Sequence, residues 1–203
     1  MNQPVDHPNA EADMNGYYRR LQYAVEELMI LKGHVTREEI DAQVELMDTR
    51  DYHRGSSMVA RAWVDPAYKA RMLEDGAAAA EEMGFAVAPM QLLVVENTPK
   101  VHNVIVCTLC SCYPRMLLGM PPSWYKSREY RSRTVREPRA VLREFGTVLP
   151  DDVSIRVHDS SADMRYMVLP MRPAGTEGMS EDQLADLVHR DCLVGTRLPK
   201  AAA

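Results

Sequence analysis

The sequence predicts an α+β fold in which a helical N-terminal arm precedes a mixed domain. Three observations lead there: helical spacing of apolar residues near the N-terminus, four short valine- or leucine-rich runs further on, and helix caps or glycines between them. Residues 1–16 are polar, with Pro4, Pro8 and Gly16 and no periodicity, and read as a mobile tail. Residues 17–54 read as the arm and 55–203 as the main domain.

In the arm, Leu21, Ala24, Val25, Leu28 and Leu31 predict a helix over 17–32, stopped by Gly33. Thr36 and Glu39 form a capping box that opens a second helix to about Met47. A short helix is expected over 55–64. Asp65 followed by Pro66 is an N-cap with proline at the first helical position, so the next helix runs from 66 to about 83 and ends at Gly84. Residues 91–95 and 101–106 read as buried strands separated by Asn97-Thr98-Pro99. After Pro121-Pro122, Ser123 is placed to cap a short helix carrying Trp124 and Tyr125. Pro138 opens another with Val141, Leu142 and Phe145, ended by Gly146. Strands follow at 154–157 and 165–169 across the polar turn Asp159-Ser160-Ser161. Ser180 to Gln183 is a second capping box, and Leu193-Val194 reads as a last short strand. The strands are expected as two hairpin-like neighbours.

Composition narrows the function classes. The 203 residues carry a net charge of −5 and a pI near 5.7, which argues against a nucleic-acid partner, whose footprint is basic. No apolar run approaches the roughly 20 residues of a membrane helix, and the first residues lack a basic-then-apolar signal, so no membrane partner and a cytoplasmic location are expected. Four cysteines, three of them clustered, do not make a secreted disulfide framework. Seven arginines fall between Arg115 and Arg143, interspersed with Glu129, Glu137 and Glu144, and read as a solvated or interface face.

Chemistry concentrates in Cys107-Thr108-Leu109-Cys110-Ser111-Cys112, immediately after the second strand, where a site is rigidly anchored. Thiolates are soft ligands for transition metals. Between Cys110 and Cys112 lie the backbone amides of Ser111 and Cys112. Were both to lose their protons, Cys110 sulfur, both nitrogens and Cys112 sulfur would form a planar N2S2 set, with Cys107 available as an axial thiolate. Amide ligation demands a strongly polarising ion, so trivalent cobalt or iron suits the set better than zinc. The alternatives are a structural zinc module adding Cys192 to the three, and a dithiol redox protein built on Cys107 and Cys110.

This loop, followed by Tyr113-Pro114, resembles the metal loop of the nitrile hydratase catalytic subunit and of the related thiocyanate hydrolase gamma subunit. The likeness continues through Leu118-Gly119-Met120-Pro121-Pro122-Ser123-Trp124-Tyr125-Lys126, Arg136-Glu137-Pro138-Arg139, Asp159-Ser160-Ser161 and Arg172-Pro173-Ala174-Gly175-Thr176-Glu177. The resemblance implies a layered α-β-β-α domain behind an arm that wraps a partner. Thr108 implies cobalt as Co3+, with iron the lesser option, since serine there accompanies iron. It further implies metal ligation by Cys107, Cys110, Ser111 and Cys112, with Cys110 matured to a sulfinate and Cys112 to a sulfenate. The implied partners are one or two nitrile hydratase beta-type subunits and a metallochaperone or activator protein. The implied reaction is hydration of a nitrile to its amide; the alternative is conversion of thiocyanate to carbonyl sulfide and ammonia.

Cys110, Ser111, Cys112 and Arg115 are the candidate catalytic residues. Arg115 stands where many nitrile hydratases carry tryptophan and thiocyanate hydrolase carries arginine. A cation there suits an anion such as thiocyanate or a polar heterocyclic nitrile, or pairs with a partner's carboxylate. The family's pocket glutamine has its nearest counterpart in Gln91, displaced toward the strand. His102 is either structural or a support for the loop, and Asp159, Ser160 and Ser161 either hydrogen-bond the loop or form an ordinary turn.

Overall fold

The computed structural model describes residues 10–110 and 112–200, so Ser111 and residues 1–9 of the expected tail lie outside the described residues. The chain divides into two compact units, Met1–Leu46 and Met47–Ala203. The division falls earlier than the expected boundary after residue 54, because Tyr52 already packs against the second unit's core and Arg54 donates to the Met116 carbonyl at 3.3 Å.

The first unit contains α1 (Ala10–Leu31) and most of α2 (Arg37–Asp48). α1 starts seven residues before the expected Tyr17. Ala10, Glu11, Ala12 and Met14 are strong helix formers, and Gly16 costs only about 1 kcal/mol in a helix interior. The capping box at the start of α2 forms: Glu39 N donates to Thr36 Oγ1 at 3.1 Å and Thr36 N to the Glu39 carboxylate at 2.8 Å. Tyr17, Leu21, Val25 and Leu28 share one exposed face of α1.

The second unit is layered. α3 (His53–Val64), α4 (Pro66–Glu74) and α5 (Gly76–Glu82) lead to β1 (Gln91–Glu96) and β2 (Val101–Val106). The single helix expected over 66–83 is interrupted at Asp75, whose extended backbone (φ −143°) lets its carboxylate accept from Ala77 N and Ala78 N and cap α5. Four helices follow: α6 (Arg115–Leu118), α7 (Ser123–Lys126), α8 (Arg128–Arg136) and α9 (Pro138–Glu144). Ser123 does not cap α7, because it is already inside the helix after Pro122; Ser127 caps α8 instead, accepting from Tyr130 N at 3.1 Å. β3 (Ser154–Asp159), β4 (Met164–Leu169), α10 (Glu181–Ala185) and α11 (Arg190–Val194) complete the chain. Leu193 and Val194 are therefore helical rather than a strand. His189 Nδ1 accepts from Asp191 N at the start of that turn, and Gly195, at φ +87°, ends it.

The strands are not hairpin neighbours. β1 pairs in parallel with β4, and β2 in parallel with β3, as two two-stranded sheets. Each pair is joined by a long crossover, which parallel strands require. α4 and α5 pack on β1, β2 meets β4 between the sheets, and α8 and α9 cover β2 and β3, giving the α-β-β-α layering. The core between layers is apolar, centred on Met58, Tyr68, Met72, Ile105, Leu117, Met167 and Leu193. A buried polar bridge crosses it: His102 Nε2 donates to Gly195 O at 2.7 Å, Asn103 N to Asn97 Oδ1 at 2.7 Å, and His158 Nε2 to Asn103 Oδ1 at 2.8 Å.

Candidate metal centre

β2 is buried along five of its six residues, and it delivers Cys107, 1 % exposed, to the sheet's edge. There the chain turns, so that Cys110 is exposed and Cys112 half-buried. Cys107 and Cys110 sulfurs lie 3.4 Å apart, Cys110 and Cys112 sulfurs 3.1 Å apart, and all three within 4.8 Å of one another. Cys110 N donates to Cys107 Sγ at 3.3 Å. Burial, with hydrogen bonding from Cys110, pushes the Cys112 thiol up to about 12. Packing three sulfurs this closely disfavours thiolates unless a cation offsets their charge. The donor set fits a thiophilic transition ion.

Parallel pairing of β2 and β3 places Val106 opposite Asp159, and this register reaches the loop. Asp159 Oδ1 accepts from Thr108 N at 2.9 Å, and Oδ2 from Thr108 Oγ1 at 2.5 Å. Ser160 N donates to Val106 O at 2.7 Å. Of the two roles weighed for Asp159, the hydrogen bond to the loop is the one observed. Tyr125, fully buried, donates from Oη to Cys112 O at 2.8 Å, and Tyr130 Oη to Ile105 O at 2.6 Å. Arg131 Nη1 donates to Cys110 O at 3.1 Å and to Thr108 O at 3.5 Å. Edge-to-face contacts of Trp124 with Tyr130 and Phe145, at 4.9 and 4.7 Å, fix the aromatic side of this support.

Arg115 opens α6 three residues beyond Cys112 and, among the described residues, has no carboxylate within ion-pair distance. It lines a cavity of about 660 Å³ with Met90, Gln91, Tyr113, Met116, Asp163 and Arg165. Gln91 and Arg115, both singled out from sequence, therefore line the same cavity. Cys192 does not join the sulfur cluster: it is buried in α11, with its thiol pushed up to about 11 by burial, and the four-cysteine zinc arrangement is not formed. His102 supports the core through Gly195 rather than reaching the loop. The candidate ligand Ser111 lies outside the described residues.

The family profile described as nitrile hydratase, alpha chain, matches residues 17–197. The chain belongs to the nitrile hydratase alpha chain family. Within this family it is 51 % identical over 180 residues to the low-molecular weight cobalt-containing nitrile hydratase subunit alpha of Rhodococcus rhodochrous, covering 87 % of this chain and 86 % of that one. It is 45 % identical over 192 residues to the thiocyanate hydrolase subunit gamma of Thiobacillus thioparus, covering 89 % and 79 %. Among solved structures, a recombinant thiocyanate hydrolase with partially modified cobalt centres superposes at a TM-score of 0.87, with 44 % identity and 91 % of both chains covered. A double mutant of the Fe-type nitrile hydratase of Comamonas testosteroni superposes at 0.86, with 43 % identity and 93 % and 95 % covered. Both similarities extend the resemblance already carried by the cysteine loop. No helix among the described residues is long and apolar enough to cross a membrane.

Several residues of the site were not singled out in the sequence. Tyr125 stands in the sequence as an aromatic on a short helix within the stretch that carries the resemblance, with no role assigned, and Arg131 only as one member of a basic run. Arg165 carried no cue. Tyr125 and Arg131 act on carbonyls 13 and 21 residues away, whereas the guanidinium of Arg165 bonds the nearby carbonyls of Ser161 and Ala162.

Proposed function

We propose that this chain is the metal-bearing catalytic subunit of a cobalt nitrile hydratase, acting in the cytoplasm to hydrate a nitrile to the amide. The observation that carries this reading is the convergence of Cys107, Cys110 and Cys112 sulfurs within 4.8 Å at the end of β2. Thr108 and the cobalt-containing relatives favour cobalt over iron. Cys107 would hold the ion as a thiolate, Cys110 and Cys112 through sulfur, and Ser111 and Cys112 through backbone nitrogen. Bound there, trivalent cobalt supplies Lewis acidity toward a nitrile or a water.

The chain's own groups set up the rest. On maturation an external oxidant such as dioxygen would take Cys110 to a sulfinate, by four electrons, and Cys112 to a sulfenate, by two, and their oxygens would serve as bases or nucleophiles beside the substrate. Arg115 and Gln91, which line the 660 Å³ cavity, grip and orient its polar end. Tyr125 and Asp159 hold the loop so that these groups keep their places. One or two beta-type subunits complete the pocket, and the exposed apolar face of α1 is the arm's contact with them. An activator protein loads the metal.

Arg115 and Arg165 on the cavity wall favour a second reading, a thiocyanate hydrolase gamma subunit, because two guanidinium groups attract an anion. The test is a product assay on the chain co-expressed with its partner subunits and cobalt, offered an aromatic nitrile and thiocyanate side by side. Amide without carbonyl sulfide supports the hydratase; carbonyl sulfide and ammonia overturn it in favour of the second reading.

A further inference from the structure

We infer that Asp163 is a specificity residue of the 660 Å³ cavity, accepting a hydrogen bond from an N–H group on the body of the substrate, and that the substrate class is aromatic or heteroaromatic nitriles carrying an uncharged amino group; this rests on the hydratase reading above. Asp163 ends the turn between β3 and β4. Its backbone is fixed on both sides: Gln91 N donates to Asp163 O at 3.4 Å, where the parallel β1–β4 pair begins, and within the turn Ser161 N donates to Met164 O at 2.9 Å and Met164 N to Ser161 Oγ at 3.2 Å. Its side chain is uncommitted. Among the described residues the carboxylate accepts no hydrogen bond and makes no ion pair, although two guanidinium groups line the same cavity. Arg165 directs Nη1 to the carbonyls of Ser161, Ala162 and Met164, the last two at 2.8 and 3.4 Å, and Arg115 has no carboxylate within ion-pair distance.

Opposite charges that line one cavity without meeting leave it both donors and an acceptor for a guest. A carboxylate only accepts, whereas a guanidinium only donates. For thiocyanate, a triatomic anion, repulsion from Asp163 opposes the attraction of the two arginines, and a cavity of about 660 Å³, the size of sites for whole small molecules, is left mostly unfilled. A cationic amine meets two like charges against one opposite charge. A neutral N–H donor is repelled by none of them and satisfies the carboxylate. Val87 and Met116 supply apolar lining, and a guanidinium stacks on an aromatic face as well as donating to an acceptor, so a ring bearing an amino group uses every kind of group the cavity offers.

The experiment compares the co-expressed, cobalt-grown complex of the wild type with Asp163→Ala and Asp163→Asn. Each is offered meta-aminobenzonitrile and meta-tolunitrile, whose amino and methyl groups match in size and are both uncharged at neutral pH. Steady-state KM and kcat are measured for each nitrile, together with calorimetric binding of the amino-substituted amide product and the melting temperature. The expected result is that the wild type favours the amino nitrile in kcat/KM by about tenfold or more, and that Asp163→Ala raises its KM by about tenfold with kcat within about twofold, leaving the methyl nitrile unchanged. Binding of the amide product weakens by the same factor. Asp163→Asn, which keeps a carbonyl acceptor without the charge, falls between, and all melting temperatures agree because the carboxylate holds nothing in the chain. A wild type that treats the two nitriles alike overturns the inference and leaves the hydratase reading standing, and so does an equal shift of both nitriles in Asp163→Ala. Should Asp163→Ala fail to assemble, Asp163→Asn decides, and an unchanged KM for the amino nitrile overturns the inference. A wild-type complex that hydrates neither nitrile and releases carbonyl sulfide from thiocyanate overturns the hydratase reading itself, and the inference falls with it.

Discussion

Substituting Gly195 by alanine is expected to destabilise the protein by about 5 kcal/mol. At φ +87° an alanine adopts the left-handed region at a cost of about 1 to 2 kcal/mol. Its Cβ would stand 2.0 Å from the Asn103 carbonyl oxygen, where ordinary contacts begin at 3.4 Å, so α11 and β2 must separate by about 1.4 Å. Neither side yields easily. Asn103 is 3 % exposed and held by Asn97, and overpacking of this kind costs about 1 to 3 kcal/mol. The movement also stretches the His102 bond to Gly195 O, stranding a buried ring nitrogen at about 1 to 3 kcal/mol. For a chain of this size the total lowers the melting temperature by about 10 °C. Calorimetry of the purified protein measures it, with Gly175→Ala as control: its φ is +80° and no atom lies within 4 Å of the added Cβ. That control isolates the backbone cost, about 3 °C. If both variants fall by the same amount, the close approach of α11 to β2 carries no energy and the reasoning is refuted.

Asp159→Ala removes both bonds from Thr108; cobalt retention after chelator challenge is expected to fall about tenfold or more, while the melting temperature shifts by less than about 3 °C because Thr108 is exposed and water replaces the acceptor. Unchanged retention counts against a clamp. Arg115→Gln removes one of two guanidinium groups from the cavity wall; the KM for thiocyanate is expected to rise about tenfold, and that for an uncharged nitrile much less, so steady-state kinetics showing equal shifts would rule out an anion grip. The His102 imidazole is held below its ordinary value of 6.5 by burial, against an opposing bond to Gly195, and burial lowers His158 likewise. The unfolded chain therefore binds the extra protons, so the stability contributed by neutral His102 is present above pH 6.5 and is lost as pH falls toward its depressed folded value. Melting curves from pH 7.5 to 5.5 should show that decline, and a shallower one in His102→Gln; parallel slopes would exclude His102 as a source.

Elements marked by local chemistry were legible in the sequence. The capping boxes at Thr36 and Ser180, the Asp65-Pro66 start and the two valine-rich strands all form as read. What escaped depended on distant partners or on competition within a run. Parallel pairing of β2 with β3 is decided by packing of the crossover helices, which no local pattern encodes. Asp75-Gly76 broke a helical pattern because an aspartate carboxylate offers the backbone a cap in mid-run. Leu193-Val194 looked like a strand because two apolar residues have no period of their own; His189 and Gly195 settle them as one helical turn. In the site, the cysteine spacing pointed to the sulfur cluster, whereas Tyr125 and Arg131 act on carbonyls 13 and 21 residues away and carry no mark of it.

The loop is held by residues that all follow it in the chain, Asp159 coming 51 residues after Thr108. At synthesis rates of about 5 to 20 residues per second, the three thiols leave the ribosome about 3 to 10 s before their last clamp exists. During that interval they are three unprotected sulfurs on a nascent chain, open to oxidation or to the wrong ion. On the proposed metal-loop reading, an ion that reaches the sulfurs at their proper geometry does so only after a window whose length the register of two parallel strands sets.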